Sequence, residues 1–185
     1  MRDETSTRTR WQVRLIEVLA RRRVLLGFAC GAGVLWLARP TLSSLATGGA
    51  IAVAGEALRV WAAGHLEKGS EVTRSGPYRL TRHPLYMGSG IIGVGAAVAA
   101  ARVTVAAMIA LYLASTLTAA VRTEEAGMKA SFGDQYDAYL ESRSLAVDRP
   151  FSLSRAMRNK EYRAIAGLAV VAALLAAKAV FSSQE

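Results

Sequence analysis

The chain has 185 residues, of which 52% are hydrophobic, 20% charged and 7% aromatic, with one cysteine (Cys30) and a formal net charge of +9. So much apolar mass excludes a disordered chain, and a lone cysteine excludes a disulfide scaffold. A pI near 10.3 would point to nucleic acid only if the basic residues shared one solvated face; they fall instead in blocks between long runs of Ala, Leu, Val and Gly, so no nucleic-acid partner is expected.

Residues 1–23 read as a cytosolic N-terminal segment, in which residues 4–19 could lie as an amphipathic helix on the inner leaflet. Five apolar runs follow, at residues 24–38, 42–66, 84–101, 103–121 and 164–182. Each is near the ~20 residues that cross ~30 Å of hydrocarbon. Pro40 ends the first run, and Lys178 stands close enough to the end of the last to snorkel. A cleaved signal peptide is the rival reading of the first run; the long charged region ahead of it and Pro40 close behind speak against that.

The cationic residues fix an orientation. Seven Lys and Arg precede the first run and Arg39 alone separates runs one and two. Lys68, Arg74, Arg79 and Arg82 separate two and three, Arg102 alone separates three and four, and eight lie between four and five. Rich and poor segments alternate, as the positive-inside rule requires of five spans with a cytosolic N-terminus. The expectation is an all-α integral membrane protein with about five transmembrane helices, a cytosolic N-terminus and long cytosolic loops, folded as one domain over residues 1–185. No linker, repeat or low-complexity segment divides it.

Several features inside the spans carry little chemistry. Gly88-Ser-Gly-Ile-Ile-Gly93 matches a dinucleotide fingerprint literally, but such a fingerprint needs a strand before it and a soluble βαβ unit around it. Within a membrane run, small residues let helices approach closely, and Gly27 and Gly31 read the same way. Cys30 has no neighbouring His or second Cys and reads as packing. Glu56 and Arg59, three apart on the second helix, can pair across one turn. They read either as a functional cavity or as a self-neutralising buried pair. His65, at the cytosolic end of that helix, could equally be an interfacial histidine with no role in a site.

Two cytosolic segments stand out. In Ser75-Gly-Pro-Tyr-Arg-Leu-Thr-Arg-His-Pro-Leu-Tyr-Met-Gly88, Gly76-Pro77 turns the chain and Pro84 suits the first turn of the third helix. That puts a helix N-terminus at the water boundary, a natural anion site, with Arg82 and His83 at its lip and Tyr78 and Tyr86 as aromatic faces. In the second segment the fourth helix delivers Glu124 and Glu125 to the same surface, and Phe132-Gly133 reads as a helix stop. Neighbours on a helix point about 100° apart, so one carboxylate should face the bundle and the other loop or solvent. An ordinary basic loop and a solvated acidic turn are the bland alternatives. Together the groups complement a zwitterion bearing a carboxylate, an ammonium, a ribose and a flat base. No metal-ligand cluster and no nucleophile–base pair is read, so no metal is expected.

These segments, with Phe-Gly-x-x-Tyr-x-x-Tyr from Phe132 to Tyr139, resemble the isoprenylcysteine carboxyl methyltransferase family and the related phospholipid N-methyltransferases. The matching motifs span residues 70–151. The resemblance implies an integral membrane enzyme using S-adenosyl-L-methionine, its active site facing the cytosol. It implies cofactor contacts at Val72, Thr73, Tyr78, Arg82, His83, Pro84, Leu85, Tyr86, Glu124 and Glu125. His83, Glu124 and Arg122 are the candidate catalytic residues; Glu56, Arg59 and Arg122 are the candidate substrate contacts. Two positions depart from the eukaryotic prenylcysteine enzymes: Ser70 stands for a histidine, and Ala120 for a substrate-contacting arginine, with Arg122 the nearest replacement. The implied acceptor is a lipophilic molecule met in the bilayer, most simply a prenylated cysteine carboxylate. A phospholipid amine is the alternative, and a non-catalytic membrane scaffold the competing class.

Overall fold

The computed structural model describes residue 22, residues 25–141 and residues 147–182. The proposed amphipathic segment at 4–19 lies outside these. Among the described residues the structure is all-helical: α1 Leu25–Leu37, α2 Leu42–Ala63, a 3-10 turn Gly76–Arg79, α3 Pro84–Ala100, α4 Val103–Phe132, α5 Asp134–Leu140, α6 Leu153–Arg158 and α7 Tyr162–Ser182. Two of these, α4 and α7, are long and apolar enough by themselves to cross a membrane. α1 and α3 are shorter apolar helices, and α2 is 22 residues long with Glu56 and Arg59 in its second half.

Local sequence sets the helix ends. Thr41 caps α2 in a reciprocal box with Ser44, which satisfies two of the four N–H groups that a helix start leaves without partners. The Ser44 hydroxyl also donates to the Ala99 carbonyl at 3.0 Å, tying the start of α2 to the end of α3. Pro84 occupies the first position of α3, where its missing N–H costs nothing. α4 runs unbroken for 30 residues, about 45 Å at 1.5 Å per residue. That is longer than the ~30 Å thickness of a hydrocarbon layer, and the acidic pair lies in its C-terminal third. Gly133, at φ +45°, stops α4 as the Phe132-Gly133 pair foretold.

α2 and α3 pack backbone against backbone. A Cβ at Gly48 would collide with the Gly95 carbonyl, and one at Gly55 would stand 2.8 Å from the Gly88 carbonyl and the Ile92 nitrogen. The apparent nucleotide fingerprint is thus packing at Gly88 and, against Leu113 of α4, at Gly93; a Cβ at Gly90 would meet nothing within 4 Å. In α1, Gly27 lies against Tyr112 whereas Gly31 has nothing nearby. Overpacking such a seam costs about 1–3 kcal/mol. Gly48→Ala is expected to lower the melting temperature in detergent, whereas Gly49→Ala, with open space at its Cβ, should leave it unchanged or slightly raise it. Equal melting temperatures for the two variants would contradict this packing.

At the end of the bundle away from the α2–α3 loop, Val34, Ala38, Ala99, Ala100, Val105, Ile109 and Leu175 form one buried cluster. Lys178 reaches back from α7 and donates to the Leu35 and Trp36 carbonyls at 2.7 and 2.8 Å. A cation there satisfies the carbonyls at the end of α1 and complements its negative pole. Lys178 therefore caps a neighbouring helix rather than simply reaching for the interface.

Candidate functional site

At the other end of the bundle, four segments converge on one cavity of about 470 Å³, within the 300–1,000 Å³ of ordinary small-molecule sites. The loop after α2 supplies Val72 and Thr73, with Glu67, Lys68 and Glu71. The 3-10 turn and the first turn of α3 supply Tyr78, Arg82, His83, Pro84, Leu85 and Tyr86. α4 supplies Ala120, Thr123, Glu124, Gly127, Met128 and Ser131, and α5 adds Tyr136 and Tyr139. The α4 residues recur at spacings of three and four, so they form one face of that helix.

That periodicity sorts the expected residues. Glu124 lines the cavity, while Glu125, turned about 100° away, accepts from or pairs with His83 Nε2 at 3.1 Å. Arg122 is exposed and lies off the lining face, because two positions along a helix rotate a side chain by about 200°. Glu56 and Arg59 do not line the cavity either; both are gathered beneath it, between α2, α3 and the start of α7. The structure thus brings together nine of the ten residues expected to contact a cofactor, with Glu125 one step behind His83.

The anion site at the start of α3 is smaller than expected. Pro84 has no N–H, and those of Tyr86 and Met87 both donate to the His83 carbonyl. Among the described residues this leaves the Leu85 N–H as the one free donor of that turn. Arg82 stands beside it and donates through Nη2 to the Leu140 carbonyl at 2.9 Å. The His83 ring is tilted against Tyr86 with centroids 5.8 Å apart.

Two of the three lining acids are already neutralised. Glu71 takes a bidentate pair from Arg149 at 2.6 and 2.7 Å. Arg155 donates to Glu67 at 2.6 Å, and that hydrogen bond holds the Glu67 carboxyl below its ordinary range. Arg149 is held above its own ordinary value by the bond to Glu71. Glu124 accepts no hydrogen bond from any described residue. Its charge, added to the larger effect of burial, pushes the Tyr78 phenol far up, so Tyr78 stays neutral. The Tyr139 hydroxyl donates to the Tyr78 carbonyl at 3.0 Å and fastens α5 to the 3-10 turn.

The outer wall is held by the segment from Val147 to Asn159. Ser152 N donates to Gly64 O, Arg155 Nη1 to the same carbonyl, and Asn159 Nδ2 to Ala63 O and Leu66 O. His65 proves to be buried rather than interfacial. Its Nδ1 pairs with Ser75 Oγ at 3.1 Å, and its ring fills the space where a Cβ on Gly76 (φ +55°) would go.

The family model for phospholipid methyltransferases matches residues 23–135, more than half of the chain and all of the cavity except Tyr136 and Tyr139. The chain belongs to the phospholipid methyltransferase family, a class of membrane methyltransferases. Two bacterial relatives are similar to parts of it. The cobalt-zinc-cadmium resistance protein CzcN of Cupriavidus metallidurans is 34% identical over 126 residues, covering 66% of this chain and 55% of that protein. The nickel-cobalt-cadmium resistance protein NccN of Alcaligenes xylosoxydans xylosoxydans is 35% identical over 85 residues, covering 44% and 38%. The chain thus spans less than two thirds of the length of either relative. No solved structure matches. Among the described residues, no group of three or more His, Cys, Asp and Glu is placed to hold a metal ion.

Proposed function

We propose that this chain is a multi-pass membrane enzyme that transfers a methyl group from S-adenosylmethionine to a lipophilic acceptor at the cytosolic face. One observation carries the reading: Glu124, a carboxylate with no hydrogen-bond partner among the described residues, shares a cavity with several tyrosine rings and with Leu85, whose N–H is likewise free among them. That donor set suits the cofactor, since a carboxylate meets an ammonium or ribose hydroxyls, aromatic faces meet a flat base, and an N–H beside Arg82 meets a carboxylate. Bound there, the cofactor would supply an electrophilic sulfonium methyl, and the protein would contribute position and exclusion of water. Tyr78, kept neutral, offers a ring rather than a competing nucleophile. His83, Pro84, Leu85 and Tyr86 would form the inner wall, and Val72 and Thr73 the outer.

Five spans with a cytosolic N-terminus fit the alternation of cationic loops. A cysteine placed at residue 102 should then label only from the non-cytosolic side; labelling from the cytosol would overturn this topology. For the acceptor, a prenylated cysteine carboxylate is the first reading. It rests on the family spacing from Ser75 to Gly88 and on Lys68 and Arg82 as lining cations, Arg122 standing off the cavity. The second reading, a phospholipid amine, is favoured by the His83–Glu125 pair, because an amine must lose a proton and a carboxylate need not. A radiolabelled-methyl assay on acetyl-farnesylcysteine and on phosphatidylethanolamine tests both. Label in the first supports the first reading, label only in the second replaces it, and label in neither contradicts both.

A further inference from the structure

Arg59 lies one turn before the end of α2, with a side chain only 19% exposed. Its stem crosses α3 at Gly88, where an added Cβ would stand 2.5 Å from Arg59 Cγ. Its head is then divided three ways. Nε donates to Glu161 Oε1 at 2.7 Å, and Nη1 to Ser89 Oγ at 2.5 Å and, longer, to Leu85 O at 3.4 Å. Ser89 Oγ in turn donates to Leu85 O at 3.0 Å. Glu161 stands where α7 begins; its carbonyl accepts from Ala164 N and Ile165 N. Glu56 approaches Arg59 Nε only to 3.6 Å, and neither of its oxygens has a hydrogen-bond partner among the described residues.

One guanidinium therefore joins α2, the first turn of α3 and the start of α7, directly behind Leu85. Leu85 lines the cavity and, among the described residues, carries the one free N–H of that turn. An arginine can do this and a lysine cannot, because only the planar fork offers several donors in fixed directions. We propose that Arg59 is a positioning residue for the cavity. It holds Leu85 through its carbonyl and through Ser89, so that the Leu85 N–H and the neighbouring wall meet a bound ligand in register, while Glu161 fixes Arg59. This rests on the cavity being the cofactor site. Supporting residues of this kind act on binding as well as on stability, since small displacements of a bound group are costly.

Calorimetric titration of the full-length protein in detergent with S-adenosylhomocysteine, normalised to folded protein, tests the proposal beside melting temperatures. Ser89→Ala, which buries no charge, should weaken binding several-fold with little change in melting temperature. Arg59→Lys should weaken it about tenfold or more, and Arg59→Met further still. Glu56→Gln, which leaves the three contacts intact, should bind within about twofold of wild type. If Arg59→Lys fails to fold, Ser89→Ala alone decides. Wild-type affinity in Ser89→Ala and in any folded Arg59→Lys, whatever their melting temperatures, would overturn the positioning role while leaving the cofactor site standing. Absence of binding by the wild type would overturn both.

Discussion

Glu124→Gln is expected to weaken binding of S-adenosylmethionine or its demethylated product by about 1.5–3 kcal/mol, roughly 10- to 150-fold. The size follows from the charge pattern of the cavity. Glu67 and Glu71 line the same space, but Arg155 and Arg149 already neutralise them. Glu124 accepts nothing from the described residues, so a bound cation or hydroxyl would take its full charge. The amide has the same shape and removes only that charge. Glu71→Gln, by contrast, should act mainly on the wall and cost less affinity. Titration of both variants separates the two roles, and equal losses would mean that Glu124 is not the acid that meets the cofactor.

His83→Gln is expected to divide the two candidate acceptors. A positioned base contributes about 10²–10⁴-fold when a proton must leave, and His83, held at Nε2 by Glu125, is the imidazole of this cavity. Transfer to phosphatidylethanolamine, if it occurs, should fall by about that factor and should rise with pH in the wild type. Transfer to a farnesylcysteine carboxylate, already ionised, should be nearly flat between pH 6 and 8. There His83→Gln should raise KM more than it lowers kcat, because the lost contribution is to the wall and not to proton removal. A steep pH profile for the carboxylate, or a large fall in its kcat, would contradict this division.

The parts of the site that were legible in the sequence are those whose cause is local. Pro84 announces the start of α3, Phe132-Gly133 the end of α4, and the 100° step between Glu124 and Glu125 their different surroundings. Arg122, expected as a catalytic residue and substrate contact, stands off the cavity face by the same helical step. What the sequence did not carry are pairings made by the fold: Arg59 with Glu161, Glu71 with Arg149 and Glu67 with Arg155 lie 102, 78 and 88 residues apart. Glu56 and Arg59 were visible as a pair, but Glu161, which holds Arg59 more closely, sits at a helix start with no marking motif. His65 looked interfacial because its role depends on Ser75 and Gly76 folding back over it. Tyr136 and Tyr139 stood within a recognisable motif, yet only the turn at Gly133 brings them to the cavity.

On the proposed reading, the cavity between the α2–α3 loop, the start of α3 and the end of α4 holds S-adenosylmethionine. Ultraviolet cross-linking of methyl-labelled cofactor to the protein in native membranes, followed by proteolysis and peptide mapping, tests it most directly. Label should appear in peptides covering residues 66–86 or 120–139, and excess S-adenosylhomocysteine should displace it. Label confined to other peptides, or incorporation that the competitor leaves unchanged, would contradict the assignment.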